Sequence, residues 1–105
     1  MPYYTLALIK KNLEILPSDT SLDATFDNYG AESDAWVDTL MGNTSALSPV
    51  PTIITHASSN YAAGRYLYRI SPEPGQTDRA RQLIEIAEKQ VRGYIETLRR
   101  VMVFG

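Results

Sequence analysis

The sequence contains no cysteine among its 105 residues, and it contains a single histidine, His56. The absence of cysteine excludes disulfide bonds, thiolate metal sites and cysteine nucleophiles. His56 has no partner at metal-binding spacing, and the nearby Ser58 and Ser59 are not set in the strand-to-helix elbow that hydrolases use. Ser58, two residues further on, also does not face His56 on a helix. The sequence therefore predicts a structural or surface histidine, and it offers no catalytic, cofactor-binding or metal-binding residue.

Long apolar runs and an excess of basic charge are missing as well. No stretch reaches the roughly 20 apolar residues of a membrane span, and Lys10 and Lys11 follow the short N-terminal apolar run, which is the wrong order for a signal peptide. There is no glycine-rich phosphate loop. The formal net charge of −2 does not suit nucleic-acid binding, which favours a basic face. We expect a soluble protein that is neither secreted nor an enzyme.

Charge is unevenly distributed along the chain. Residues 1–60 carry two basic and seven acidic side chains, whereas residues 61–105 carry eight basic and five acidic ones. These charges can pair within one fold on solvated helix faces, which is the commoner arrangement, or between neighbouring copies. The acidic residues of the second predicted helix lack the pattern of a calcium loop, so they predict a solvated or subunit-facing surface.

Apolar residues recur at the three- and four-residue spacing of helices in four segments. Thr5 and Ser21 are candidate N-caps of the first two helices, Pro17 is expected to stop the first, and Gly42 suits the C-terminal cap of the second. Gly30 predicts a bend or a close helix contact. The length fits one domain, residues 1–105. The sequence predicts an all-α fold, a small bundle of four helices with a long C-terminal helix and a short apolar C-terminal tail, with boundaries at approximately 5–16, 21–41, 51–70, 77–100 and, for the tail, 101–105.

The third predicted helix has two different faces. Its small residues between positions 57 and 64 would let another helix approach closely, and Tyr61 and Tyr68 recur on the same face. Tyr66, with Arg65 and Arg69, lies towards the opposite face. Because tyrosine and arginine are enriched at protein interfaces, this patch is an interface candidate, and ordinary surface tyrosine is the alternative. The apolar tail has two alternatives as well: it packs on its own domain or docks on a partner.

The order of these segments resembles the head–tail connector, or adaptor, proteins of tailed bacteriophages, archaeal tailed viruses and prophages. The second helix, "AESDAWVDTL" from Ala31 to Leu40, is similar to that family's A-x-x-x-I/V-D-x-x-L helix, and Gly30 and Trp36 depart from it. Further matches lie in the third helix and the last: Pro51, Ile54, Ala57, Tyr61, Ala62 and Leu67, then Tyr94, Ile95 and Leu98. The resemblance spans most of the chain and rests on core patterns.

The resemblance implies a virion structural protein. Such a protein forms a homo-oligomeric ring, commonly a dodecamer, under the portal protein, extends the DNA channel and provides the docking platform for the tail or stopper protein. DNA would pass without sequence-specific binding. The expected location is the virion neck, and the host cytoplasm during assembly. Candidate subunit-interface residues are Asp27, Asp34, Asp38, Arg65, Tyr66, Arg69 and Arg92, and the candidate portal-docking tail is Val101, Met102, Val103 and Phe104.

A different class of function stays open. The chain could be a cytoplasmic dimeric helical scaffold or regulatory protein-binding domain that uses the tyrosine and arginine face of the third helix. A stable dimer at all concentrations would favour this alternative, whereas rings, or a monomer that assembles only on a portal, would favour the connector.

Overall fold

The computed structural model describes residues 3–42, 50–70 and 74–104, except for the side chains of residues 74–76 and 99–104. These residues form four helices and no strand, in the order α1 (Leu6–Asn12), α2 (Asp23–Met41), α3 (Thr52–Ile70) and α4 (Pro74–Phe104). The predicted all-α bundle with a long C-terminal helix is confirmed. No helix in the described part of the chain combines the length and apolarity needed to cross a bilayer.

Helix α1 is shorter than its apolar pattern predicts. Thr5 caps its start, as expected, because the Thr5 hydroxyl accepts a hydrogen bond from the Leu8 N–H at 3.2 Å. The helix ends at Asn12, well before Pro17, so the expectation that Pro17 stops it is wrong. Glu14 adopts a left-handed conformation with φ of 59°. The N–H groups of Glu14 and Ile15 then turn back to the last helical carbonyls, which is a Schellman ending without the usual glycine.

Helix α2 begins two residues later than predicted. The N-cap residue is Leu22, which makes no side-chain capping bond, so the prediction of Ser21 as the cap is wrong. Ser21 instead donates its N–H and hydroxyl to the Asp19 carboxylate at 3.0 and 2.7 Å. Gly42 does form the predicted C-terminal cap, in the left-handed region with φ of 73°.

Helix α3 is the centre of the bundle, because each of its contacts with α1, α2 and α4 is more extensive than any contact among those three helices. It packs tightly against α4 at Gly64, where an added Cβ would lie 2.8 Å from Ile84 Cγ1 and 2.9 Å from the Ala80 carbonyl oxygen. The small residues of α3 therefore have the packing role that the sequence predicts.

Helix α4 is longer than the 77–100 segment expected. It starts at Pro74, three residues before the predicted boundary at residue 77, and runs to Phe104. The backbone of residues 101–104, predicted as a separate tail, thus continues the helix. The side chains of Val101, Met102, Val103 and Phe104 lie outside the described part of the structure.

The core consists of two adjoining clusters. Trp36 and Tyr61 stack beside the first, with ring centroids 4.1 Å apart and planes 8° from parallel. The first cluster joins the N-terminal segment to α2, α3 and α4, and the second joins α1 to α2 and α3. Their buried members are Tyr3, Val37, Ile54, Ala57 and Val91 in the first, and Ile9, Phe26, Ala62 and Ala63 in the second.

Candidate functional site

Helix α2 carries two chemically different flanks. Asp27, Asp34 and Asp38 follow one another at spacings of seven and four residues, so they form one line along the helix, which we call the acidic flank. The second flank lies about 150° from the acidic flank around the axis of α2, at 3.6 residues per turn. It faces α3, and the two helices together form what we call the arginine groove. The arginine groove is lined by Thr25, Asn28, Tyr29, Glu32, Arg65, Tyr68 and Arg69.

The acidic flank is covered by residues 3–5, an extended segment that we call the N-terminal strap. Asp34 holds its backbone: both carboxylate oxygens accept the Tyr3 N–H at 3.2 Å, and Oδ1 also accepts the Tyr4 N–H at 3.4 Å. The Ser58 hydroxyl donates to the same oxygen at 2.7 Å. Burial raises the pKa of Asp34 above its ordinary value against the opposing effect of these hydrogen bonds. The carboxylate therefore acts as a structural clamp on the strap.

The two strap tyrosines bind the remaining aspartates. The Tyr3 hydroxyl donates to Asp38 Oδ1 at 2.6 Å, and the Tyr4 hydroxyl donates to Asp27 Oδ1 at 2.8 Å. The hydrogen bond to Asp38, together with burial, raises the pKa of Tyr3 to about 12. Burial and the hydrogen bond to Asp27 raise the pKa of Tyr4 to about 12 as well. Both phenols thus stay protonated donors over the physiological range.

The seat of the Tyr4 ring depends on Gly30. A Cβ at this position would lie 2.5 Å from Tyr4 Cε1. This distance is too short for two non-bonded carbon atoms, so one of them would have to move. Gly30 therefore marks a close approach of the strap, whereas the sequence predicted a bend or a close contact with another helix. No sequence signal pairs Tyr3 and Tyr4 with aspartates 23 to 35 residues away, so sequence reasoning missed the strap.

Buried serines complete the strap's seat. Ser59 accepts the Thr5 N–H at 3.1 Å. Ser33 Oγ lies 2.8 Å from both Ser58 Oγ and the Gly30 carbonyl oxygen. Because the Ser58 proton is directed to Asp34, the single Ser33 proton is shared between these two acceptors. All three serines are fully buried. Ser58 and Ser59, considered above as possible nucleophiles, therefore hold the strap, while His56 is exposed.

The arginine groove has the opposite character, because its charged groups are open to solvent. It consists of two connected hollows of about 590 and 430 Å³ that share Tyr29, Glu32 and Arg69. Tyr68 is 58% exposed. Among the residues that the structure describes, none hydrogen-bonds to or forms an ion pair with Arg65 or Arg69. Two guanidinium groups one helical turn apart are thus left for a ligand.

The predicted assignment of the α3 tyrosines to faces is wrong for two of them. Tyr66 packs edge-on against Phe26 at 5.0 Å and Tyr29 at 5.7 Å, so it belongs to the bundle's interior side. Tyr68 takes the outward position instead. The tyrosine of the exposed arginine patch is therefore Tyr68 and not Tyr66.

The remaining predicted interface residue lies elsewhere. Arg92 pairs with Glu88 at 2.9 Å along α4, as its four-residue spacing predicts, and it lines a separate groove with Leu40, Ile95 and Glu96. The seven candidate interface residues thus fall into three places: the acidic flank, the surroundings of the arginine groove, and α4. That they form a subunit interface stays a prediction.

The described residues include no group of three or more histidine or acidic side chains that could hold a metal ion. Comparison with protein-family models, curated proteins and solved structures found no match to this chain. The resemblance to head–tail connectors therefore stays a prediction from the sequence.

Proposed function

We propose that this protein is a virion structural protein of the head–tail connector class. In this proposal it assembles as a homo-oligomeric ring under the portal protein, extends the DNA channel and provides the platform for the tail or stopper protein. The observation that carries the proposal is the arginine groove, an exposed surface on a helical bundle whose composition is that of a protein contact.

The composition of the groove matches what protein interfaces use. Arginine and tyrosine are enriched among the residues that contribute most to binding, since each combines a large contact area with a polar group. Arg65 and Arg69 lie on one face of α3 because they are four residues apart. Their planar guanidinium groups can each hold a carboxylate through two parallel hydrogen bonds. The groove therefore favours a partner protein over a small neutral ligand.

The proposal assigns the protein to the virion neck, and to the host cytoplasm before assembly. Its partners are other copies of itself, the portal protein, and the tail or stopper protein, while DNA passes through the channel without sequence-specific contacts. The apolar residues 101–104 are proposed to reach the portal. Because α4 continues through these positions, the docking element would be the last turn of a long helix.

Co-assembly with the portal protein of the same genome tests the function. We expect mass photometry and electron microscopy of the co-expressed pair to show one added ring of density beneath the portal. A full-length variant with Val101→Asp and Phe104→Asp tests the docking element. We expect this variant not to bind the portal, so that no added ring of density is seen. A protein that never binds the portal would contradict the proposal.

The same groove also favours the second candidate, a dimeric helical scaffold or regulatory protein-binding domain. This function predicts a dimer whose mass does not change between nanomolar and high micromolar concentration. The connector predicts either rings or a monomer that assembles only on the portal. Sedimentation velocity over that concentration range separates the two.

A further inference from the structure

We infer that the arginine groove binds an acidic segment of another protein, in which two carboxylates lie about 6 Å apart. This spacing follows from Arg65 and Arg69, which are four residues apart on α3 and so are separated by about 6 Å along the helix axis at 1.5 Å per residue. Acidic residues four apart on a partner helix have the same separation. The inference deepens the proposed function by naming the chemistry of the partner at this surface.

The aspartates on helix α2 of a second copy do not fit this spacing. Helix α2 contains two pairs of aspartates four residues apart, and each pair has lost a member to an internal contact. Asp23 pairs with the buried Lys10 at 2.7 Å, and Asp34 clamps the backbone of the strap. Asp27 and Asp38 each accept a hydroxyl of a strap tyrosine, and they are eleven residues apart, or about 16 Å. On α4, Glu88 is paired with Arg92 at 2.9 Å. Charge complementarity on these two helices therefore favours a different protein over a second copy.

The other groove residues favour a peptide over a nucleic acid. Phosphates of a single strand could also bridge two arginines, and bases could stack on Tyr29 or Tyr68. However, Glu32 lines both hollows of the groove and would repel a phosphate. A peptide can place an uncharged or basic side chain beside the Glu32 carboxylate, whereas a nucleic acid carries a phosphate at every nucleotide. The Glu32 carboxylate between the arginines thus favours a protein.

Tyr68 supplies the apolar part of the contact. Tyr68 is 58% exposed, and Ile70, two residues further on, is 54% exposed. Covering a large aromatic side chain contributes more to binding than an exposed ion pair, which is worth about 0.2–1 kcal/mol. We therefore expect an apolar residue beside the two carboxylates of the bound segment.

Binding of a synthetic peptide to the full-length protein tests the inference. The probe is a fluorescein-labelled helical peptide with two glutamates four residues apart and one leucine between them; the control probes replace both glutamates by glutamine or use a twelve-residue oligothymidylate. We expect saturable anisotropy for the glutamate peptide alone, weakening with added salt. The Arg65→Gln, Arg69→Gln double variant should lose about tenfold in affinity, equivalent to about 1.4 kcal/mol, while Arg81→Gln on α4 should lose nothing.

Three other outcomes would overturn the inference, each in a distinct way. Preferential binding of the oligonucleotide, strengthened by Glu32→Gln, would make the groove a nucleic-acid site. No binding of either probe, with self-association that disappears in the double arginine variant, would make its occupant a second copy. Equal peptide binding by the wild type and the double variant would place the contact elsewhere.

One further result distinguishes the inference from the proposed function. If the double variant still forms a complete ring on the portal but no longer binds the peptide, ring formation does not depend on the groove, and the two proposals are tested separately.

Discussion

A methyl group added at Gly64 should separate α3 from α4. The new Cβ would meet Ile84 Cγ1 at 2.8 Å, the Ala80 carbonyl oxygen at 2.9 Å and Leu83 Cβ at 3.2 Å. The Ile84 side chain can rotate, but the Ala80 oxygen belongs to the backbone of α4 and moves only with the helix. Side-chain rotation alone therefore cannot accommodate Gly64→Ala, and one helix must shift relative to the other.

The magnitude follows from two opposing effects. Overpacking of a well-packed core costs about 1–3 kcal/mol, and a backbone atom in the contact favours the upper part of that range. Replacing glycine by alanine inside a helix returns up to about 1 kcal/mol. We expect Gly64→Ala to lower the free energy of unfolding by about 1–2 kcal/mol, and to lower Tm by at least about 4 °C.

Gly93→Ala is the matched control, because it makes the same chemical change inside α4 where a Cβ meets nothing within 4 Å. We expect it to raise the free energy of unfolding by about 0.5–1 kcal/mol. Urea titration followed by circular dichroism measures both variants. Equal effects of the two substitutions would refute the conclusion that α3 and α4 are in van der Waals contact at Gly64.

Three further outcomes follow from the structure. Glu14→Gly should be more stable than Glu14→Ala by about 1 kcal/mol, since only glycine adopts φ of 59° without cost; equal melting temperatures would contradict the left-handed turn. Thr5→Ala should cost about 1 kcal/mol through loss of the cap, and Thr5→Ser should restore it, as measured by urea titration. The free energy of unfolding should fall as pH rises from 10 towards 12, because the phenols of Tyr3 and Tyr4 ionise near 10 when unfolded and near 12 when native, so the native state binds more protons in that window. The double variant Tyr3→Phe, Tyr4→Phe should be less stable at neutral pH and should show a shallower alkaline decline; an unchanged slope would mean that the strap phenols do not cause it.

Helical periodicity predicted all four helices, because each helix buries one apolar stripe against its neighbours. The residues of such a stripe recur every three or four positions in the sequence. The errors lie where a contact between distant residues decides the outcome. Tyr68 follows Tyr61 by seven residues and so matches its stripe, but the rings of Phe26 and Tyr29 on α2 contact Tyr66 instead. Spacing along one helix contains no information about which of its side chains meet the neighbouring helix.

The candidate site was predicted in part for the same reason. Arg65 and Arg69 follow directly from their sequence neighbourhood as an exposed pair. The line of aspartates on α2 is also visible in the sequence, but its use is not: Asp34 is occupied by backbone N–H groups about thirty residues away. Every residue except proline has the same backbone N–H group, so the sequence does not show which N–H groups a carboxylate binds.

The parallel arrangement of Trp36 and Tyr61 has an optical consequence. The chain contains one tryptophan, so all indole emission originates from the place where α2 meets α3. If those two helices part, the indole enters water and its emission shifts to longer wavelength, whereas far-ultraviolet ellipticity averages over every helix. Intrinsic fluorescence thus reports on the contact between these two helices without a label. A partner that separates α2 from α3 would shift the emission maximum of Trp36 to longer wavelength.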